Sequence, residues 1–373
     1  MRILYTNFHE GDGGGHTTYI VSLARALGAR HELHVASPAD SRVLRTVAAE
    51  GTARPLQIAF GSGLATFAQQ RRDIGTLRAL VRDRGIDLVH ANGARDHRFV
   101  MQALSGLRNR PKIVFTKHNS KSSSSLGNAW RARFGTDRVI AVSAHTRRLL
   151  LDTPYRRLPI DVIRNGVDLQ HFAPGHAAQG RELRAGWTQD PAALVLVSNA
   201  GTDDHKGWID LARAIARLPP ALRTRVHMAI AGRDPEPHLM AEVQALGVAA
   251  QVHHAGLLAD PRPFIAAGDA GFVLSYDVET ISFACREMMA MGLPVMVSDY
   301  AGLPENITPG EDGWVVPVRD VAAIAAQVQA LLHERDALHA RGIAARAHAE
   351  RAFSVQDFAE ATDASYRAAL AGG

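Results

Sequence analysis

The sequence predicts an α/β protein made of two tandem Rossmann-like, doubly wound parallel-sheet domains. Short β-rich runs alternate with longer helical patterns along nearly the whole chain, the alternation runs through twice, and a punctuated segment separates the two series. With 373 residues the chain is long enough for two domains, each closing its own core. Sheets of this kind bind ligands beyond the C-terminal ends of their strands. The strand-to-helix loops of both halves are therefore expected to face one another across a shared cleft.

The first series reads as strands near Arg2–Asn7, His31–Ser37, Leu56–Phe60, Asp87–His90, Lys112–Thr116 and Val139–Val142, with helical stretches between them that include Thr17–Leu27, Arg71–Arg84 and Ala144–Leu151. The second reads as strands near Leu194–Val197, Val226–Ala231, Val252–His254, Ala270–Leu274, Val295–Val297 and Trp314–Val316. Between them, Pro159–Pro174 carries an Asn-Gly pair and prolines and reads as the linker. The boundary falls near Val167, giving domains 1–166 and 167–353. In the closing stretch 354–370, apolar residues at Phe358, Ala361, Ala364 and Ala368 predict a weakly amphipathic helix.

Composition narrows the class. Apolar residues make up 46% and charged residues 21%, the balance of a folded soluble domain, which argues against disorder or a fibrous repeat. The single cysteine, Cys285, excludes an intrachain disulfide and a cysteine zinc cluster, and suits a reducing compartment. No window has the ~18 apolar residues of a membrane span, and the N-terminal residues lack a signal-peptide core. A cytoplasmic location is expected. Net charge is only +5, but the stretch Met101–Asn165 holds thirteen Lys or Arg against three Asp. Such a stretch suits an anionic membrane surface or a phosphorylated substrate; a solvated, arginine-rich surface fits it equally. No nucleic-acid partner is expected.

Two constellations carry chemistry. Gly11-Asp-Gly-Gly-Gly15 and His16 follow the first strand and open the first helix; adjacent glycines let backbone amides approach an anion at a helix N-terminus. The spacing is too compressed for the dinucleotide G-x-G-x-x-G, and no acidic residue ends the second strand where a ribose would need one. The second constellation is Ser275–Asp299. From Ile281, apolar residues at Ala284, Cys285 and Met288 recur at helical spacing, so a helix is expected to start near Thr280, capped by Thr280 or Ser282. Glu279 then precedes the helix and Glu287 lies off its apolar stripe. A helix N-terminus with acidic groups on either side could grip a phosphate through its amides and sugar hydroxyls through its carboxylates; periodicity alone reads the glutamates equally as solvated side chains.

The pattern Glu279-x7-Glu287, followed by Met289-Ala-Met-Gly-Leu-Pro-Val295, resembles the E-x7-E signature and the E-A-M-A-x-G-x-P-V block of retaining GT-B glycosyltransferases of the GT4 family. The similarity extends over almost the whole chain. Gly13-Gly14 resembles the family's N-terminal glycine loop, Leu88-Val-His-Ala-Asn92 its V-H-x-H strand end, and Val114-Phe-Thr-Lys-His118 its V-x-T-x-H block. Asp137–Ser143 is similar to D-x-V-I-A-V-S, and Val162–Asp168 to the V-I-P-N-G-V-D hinge. In the second half, Lys206-Gly207, Ala231-Gly232, Ala301-Gly-Leu-Pro-Glu305 and Gly310–Val315 resemble the diphosphate-loop K-G, the G-x-G turn, G-G-x-x-E and G-x-x-G-x-L-V.

The resemblance implies a GT-B fold and a closing helix that crosses back onto the first domain. It implies a retaining, metal-independent glycosyltransferase that moves a sugar from a nucleotide donor, a UDP-sugar first, onto a glycan or lipid-linked acceptor of lipopolysaccharide or another envelope polysaccharide. No cofactor is implied, and the enzyme would sit on the inner face of the plasma membrane. Lys206, Gly13, Gly14 and the amides at Thr280, Ile281 and Ser282 would neutralise the diphosphate. Glu287 would hold the ribose, Glu279 the transferred sugar, and His118 would stand beside sugar and acceptor. The resemblance thus makes Glu279, His118 and Lys206 the catalytic set.

The chain departs from the pattern at two points. Thr280-Ile281-Ser282 replaces Gly-Phe-Gly, and Ser198–Lys206 lacks the arginine of G-R-L-x-x-x-K-G. The lost guanidinium removes a bidentate phosphate clamp, for which Arg233 or His205 is the candidate substitute. His16 is assigned only to the acceptor side. The alternatives are an inactive nucleotide-sugar-binding homologue and a sugar-nucleotide epimerase of the same fold.

Overall fold

The computed structural model describes residues 1–121 and 123–372. The chain forms two compact units, one of Met1–Gly166 with Val355–Gly373 and one of Val167–Ser354.

In the first unit, strands β1 (Arg2–Thr6), β2 (Glu32–Ser37), β3 (Arg54–Gln57), β4 (Leu88–Ala91), β5 (Lys112–Lys117), β6 (Arg138–Ala141) and β7 (Ile160–Val162) form one sheet in the order β3-β2-β1-β4-β5-β6-β7, all pairs parallel. In the second unit, β8 (Leu194–Ser198), β9 (Val226–Ile230), β10 (Val252–His254), β11 (Ala270–Val273), β12 (Val295–Ser298) and β13 (Gly313–Val316) follow the order β10-β9-β8-β11-β12-β13, again parallel. Central strands of such sheets are covered by helices on both faces, so they read as unbroken apolar runs. In β8, Leu194 and Leu196 enter one core and Val195 and Val197 the other. Strand order reverses between β1 and β4 and between β8 and β11, the switch points where an open sheet leaves a crevice.

The structure corrects three expectations. β7 lies inside the segment read as linker: three residues suffice for an edge strand on β6, too few to show a period. β3 starts earlier than expected and carries Pro55, which an edge strand tolerates. The closing helix, Val355–Ala371, packs within the first unit, but on another face than its alanines suggested. Ala361, Ala364 and Ala368 are exposed, while Phe358, Ala359, Thr362, Asp363, Ser365, Tyr366 and Ala369 are buried. Polar side chains can occupy that face because each finds a partner. Asp363 meets His31 at 2.7 Å, Ser365 donates to Asp161 at 2.6 Å, and the Tyr366 hydroxyl meets His90 Nδ1 at 2.5 Å. Among the described residues no helix is long and apolar enough to cross a membrane.

Candidate functional site

In the second unit, the site forms at the switch point from the loops leaving β8 and β11. After β8 the chain runs through Asn199 into a tight turn, Asp204–Lys206, ahead of the helix Trp208–Arg217. Gly207 closes the turn at φ +71°, and a Cβ there would lie 2.0 Å from the Leu274 carbonyl oxygen. Only glycine lets the turn pass the end of β11 this closely. The two loops are then tied together: Tyr276 N donates to the His205 carbonyl at 3.0 Å, and the Tyr276 hydroxyl donates to Asp204 Oδ2 at 2.7 Å. As a result Lys206 Nζ reaches Glu279 Oε2 at 3.0 Å, with the side chains only 18% and 14% exposed.

The helix after Glu279 spans Phe283–Ala290, so it begins three residues later than expected. Thr280 and Ile281 precede it, and Ser282 is its N-cap, accepting from Cys285 N at 3.4 Å. The cap sets the start, because Ser282 leaves the helical backbone conformation to satisfy that amide. All three residues are buried. Ala284, Cys285 and Met288 face the core as their spacing predicts, and Arg286 is buried as well, its Nε donating to Asn306 Oδ1 at 2.8 Å and its guanidinium 4.3 Å from the Phe353 ring centroid. Burial raises the Cys285 thiol to about 12, so it is no nucleophile at neutral pH.

Glu287, one face round the helix, accepts a hydrogen bond of 2.6 Å from Asn199 Nδ2. Asn199 carries no sequence signal beyond its position just past β8. Of the two candidate substitutes for the missing arginine, His205 sits within the Lys206 turn. Arg233 lies on the turn after β9, whose carbonyl accepts from Thr202 Oγ1 at 2.6 Å. Ala301 adopts φ +51° where the resembling motif carries glycine, a left-handed conformation that L side chains rarely adopt.

His118, Gly13 and Gly14 belong to the first unit. Gly13 has φ +59°, and a Cβ on it would meet Thr17 Oγ1 at 2.1 Å; Gly14 is the N-cap of the helix Gly15–Leu27. Beside this loop, imidazoles follow one another in tilted contact, with ring centroids of His9 and His16 4.4 Å apart and of His16 and His118 4.3 Å apart. Asn92, just past β4, organises them. Its Nδ2 donates to the His16 carbonyl at 3.0 Å and to Asn7 Oδ1 at 3.3 Å, which turns its Oδ1 toward His118 Nε2 at 2.7 Å. His118 therefore carries its proton on Nε2 and presents Nδ1 as the acceptor nitrogen. Burial, then the neighbouring His16, His90 and His9 and Lys117, hold its pKa well below the usual imidazole range, and His16 falls to about 3 for similar reasons. Both rings are neutral at physiological pH.

Below this cluster Asp96 is fully buried in the first turn of the helix Ala94–Leu104, accepting from Thr6 Oγ1 at 2.7 Å and from Asn92 N at 3.0 Å. Burial raises its carboxyl to about 7. Neither Asn92 nor Asp96 was marked as a site residue from sequence. Among the described residues no group of three or more His, Cys, Asp or Glu side chains is arranged to hold a metal ion.

Two family models match the chain, one in each half. One, described as Glycosyltransferase Family 4, covers residues 13–171; the other, Glycosyl transferases group 1, covers residues 191–334. The chain belongs to the GT4 family of GT-B glycosyltransferases. This GT4 chain is 34% identical over 222 residues to a D-inositol 3-phosphate glycosyltransferase from Segniliparus rotundus, a match covering 57% of the chain and 48% of that protein. It is 27% identical over 274 residues to the lipopolysaccharide core biosynthesis mannosyltransferase LpsB of Rhizobium meliloti, covering 71% of the chain and 74% of LpsB. The chain spans about half the length of the D-inositol 3-phosphate glycosyltransferases it matches. In structure it is similar to Anabaena Alr3699/HepE in complex with UDP-glucose, with a TM-score of 0.81, 19% identity and complete coverage of both chains. At that identity the likeness concerns the fold.

Proposed function

We propose that this GT4 chain transfers a sugar from a nucleotide-sugar donor, a UDP-sugar first, to a glycan or lipid-linked acceptor in lipopolysaccharide or related envelope-polysaccharide assembly. Transfer retains the anomeric configuration and needs no metal ion. The observation that carries this reading is the pairing of Lys206 with Glu279 and of Asn199 with Glu287 on the loops after β8 and β11. A cation and two oriented carboxylates meet at a switch point, which suits a pyrophosphate-linked sugar. The similarity to the lipopolysaccharide core mannosyltransferase LpsB and to HepE in complex with UDP-glucose supports the choice of acceptor and donor classes.

The chemistry assigned to each residue follows from its charge and placement. The bond from the anomeric carbon to the phosphate oxygen breaks, and the Lys206 ammonium stabilises the charge left on the diphosphate. Amides at Thr280, Ile281 and Ser282 support the same charge, and Gly13 and Gly14 give backbone access on the first unit. The acceptor oxygen bonds to the face the diphosphate leaves, and its proton passes to the departing phosphate oxygen. Glu279 accepts from a hydroxyl of the transferred sugar, and Glu287, oriented by Asn199, from the ribose. His118, neutral and held by Asn92 in the first unit, is assigned to the sugar and acceptor side. A cytoplasmic location, peripheral on the inner face of the plasma membrane, accompanies this reading.

Incubation with UDP-, GDP- and ADP-sugars, with and without a crude lipid-linked acceptor, tests it through release of nucleoside diphosphate. Acceptor-dependent release that Glu279→Ala abolishes supports transfer. Binding with no release under any pairing points instead to an inactive homologue, a reading the missing diphosphate-loop arginine favours.

A further inference from the structure

The helix Leu126–Phe134 in the first unit is amphipathic in the wrong sense for a buried element. Leu126, Trp130 and Phe134 recur at intervals of four, so they share one face, and they are 91%, 59% and 51% exposed. The Trp130 and Phe134 rings lie 4.4 Å apart, forming one continuous apolar strip, and the Arg133 guanidinium sits 5.1 Å from the Phe134 centroid. The opposite side of the helix, through Ala132, faces the protein. Soluble proteins seldom expose a Trp, a Phe and a Leu together without a partner.

The surroundings say which partner fits. From His97 to Thr136 the chain has no acidic residue and eight Lys or Arg. Asp137, the next acid, is engaged by Arg110 at 2.7 Å and Lys112 at 4.0 Å. The helix packs on the turn Pro154–Arg157, which brings exposed Arg156 and Arg157 near it; Lys121 and Arg133 are exposed too. Asp152, just before that turn, is exposed as well, so cations remain in excess. An aromatic strip ringed by cations matches the interface of an anionic bilayer, with aromatic rings at headgroup depth and Lys and Arg among the phosphates.

We propose that the Leu126–Trp130–Phe134 face inserts into the headgroup region of an anionic membrane, with Lys121, Arg133, Arg156 and Arg157 holding it there electrostatically. This surface belongs to the first unit alone; the inference rests on the peripheral location proposed above, and its test needs no donor chemistry.

The test is co-sedimentation of the full chain with vesicles of phosphatidylcholine alone or mixed with phosphatidylglycerol. Binding to the anionic vesicles is expected to weaken several-fold between ~0.1 M and ~0.5 M salt. Trp130→Ser with Phe134→Ser should lower the partition at least about tenfold. Arg133→Gln with Arg156→Gln should lower it at low salt and flatten the salt dependence. Vesicle binding should shift tryptophan emission to the blue, a shift that Trp130→Phe removes while sedimentation persists. Melting temperatures of the variants check that they fold. Binding unaffected by the serine pair overturns the proposal, as does binding to neither vesicle. Self-association that the serine pair abolishes, without vesicle binding, assigns the face to a second copy of the chain and overturns it equally.

Discussion

Lys206 Nζ lies 3.0 Å from Glu279 Oε2, joining the turn after β8 to the loop after β11 through two mostly buried charges. The pair is a placed cation with its counter-charge already present. In the free protein Glu279 shares Lys206; when a diphosphate enters, the ammonium has a second anion to meet, and Glu279 is left to accept from a sugar hydroxyl. A mostly buried pair of this kind contributes little net stability but costs more when one partner is removed.

Lys206→Ala is therefore expected to lower acceptor-dependent diphosphate release about 10²–10³-fold, the loss seen when one placed donor to a developing anion is removed. Its effect on melting should be moderate, about 1–3 kcal/mol, because Glu279 is left as a mostly buried charge without its partner. Steady-state kinetics with parallel thermal melts decide the matter. Wild-type rates in the Lys206→Ala variant would remove the lysine from the chemistry.

Gly207→Ala probes the backbone that places that lysine. A Cβ would fall 2.0 Å from a main-chain oxygen that cannot swing away, on a residue already at φ +71°. The expected cost is about 2 kcal/mol or more in stability, together with a weakened UDP affinity as the turn shifts. Calorimetric titration of UDP reads the second effect. Unchanged affinity and melting would show that the turn moves freely.

Arg233→Gln and His205→Gln test what stands in for the absent diphosphate-loop arginine. Removing a phosphate-contacting cation is expected to raise the donor KM about tenfold, with little change in kcat. The variant that shows this split identifies the substitute; if neither does, Lys206 and backbone amides carry the diphosphate alone.

Asn92→Asp tests the tautomer of His118. The carboxylate would keep an acceptor opposite Nε2 but add a negative charge, which raises the His118 pKa from its depressed position toward and above neutrality. Loss of activity should then appear as the pH falls through that raised value, whereas the wild type shows no His118 limb there because its ring is already neutral. Nitrogen-15 chemical shifts of His118 report the protonation directly, independently of turnover. A flat pH profile despite a protonated ring would separate His118 from catalysis while leaving the Asn92 contact intact.

Apolar periodicity made the doubly wound sheets legible, because strands buried on both faces and helices buried on one leave strong, distinct patterns. It misread elements whose burial depends on polar partners. The closing helix turns Thr362, Asp363, Ser365 and Tyr366 inward, and only His31, Asp161 and His90, far away in sequence, explain why. The site was legible in the same uneven way. Glu279, Glu287, Lys206 and His118 stood in recognisable spacings. Asn199 did not, and Asn92 only closed the V-H-x-H-like strand end without a role of its own, since an asparagine after a strand is also an ordinary turn residue. The start of the helix Phe283–Ala290 slipped because two hydroxyl residues competed for the cap, and backbone geometry chose Ser282.

Asp96 offers a test on stability alone. Its carboxyl, raised to about 7 in the folded chain by burial, ionises near 4 once unfolded. The folded state thus holds a proton that the unfolded state releases between those values. The stability contributed by the protonated form is fully present below about pH 4 and is lost as the pH rises through about 7. Three pH units set an upper bound of about 4 kcal/mol on that loss. Asp96→Asn keeps an acceptor for Thr6 and Asn92 N but cannot ionise, so its unfolding free energy should lack this decline. Denaturant melts of both proteins from pH 4 to 8 give the comparison. The variant is expected to gain on the wild type from pH 4 up to about 7 and to level off above it, and parallel curves would mean that Asp96 is ionised in the folded protein at neutral pH and stabilised by Thr6 and the Asn92 amide instead.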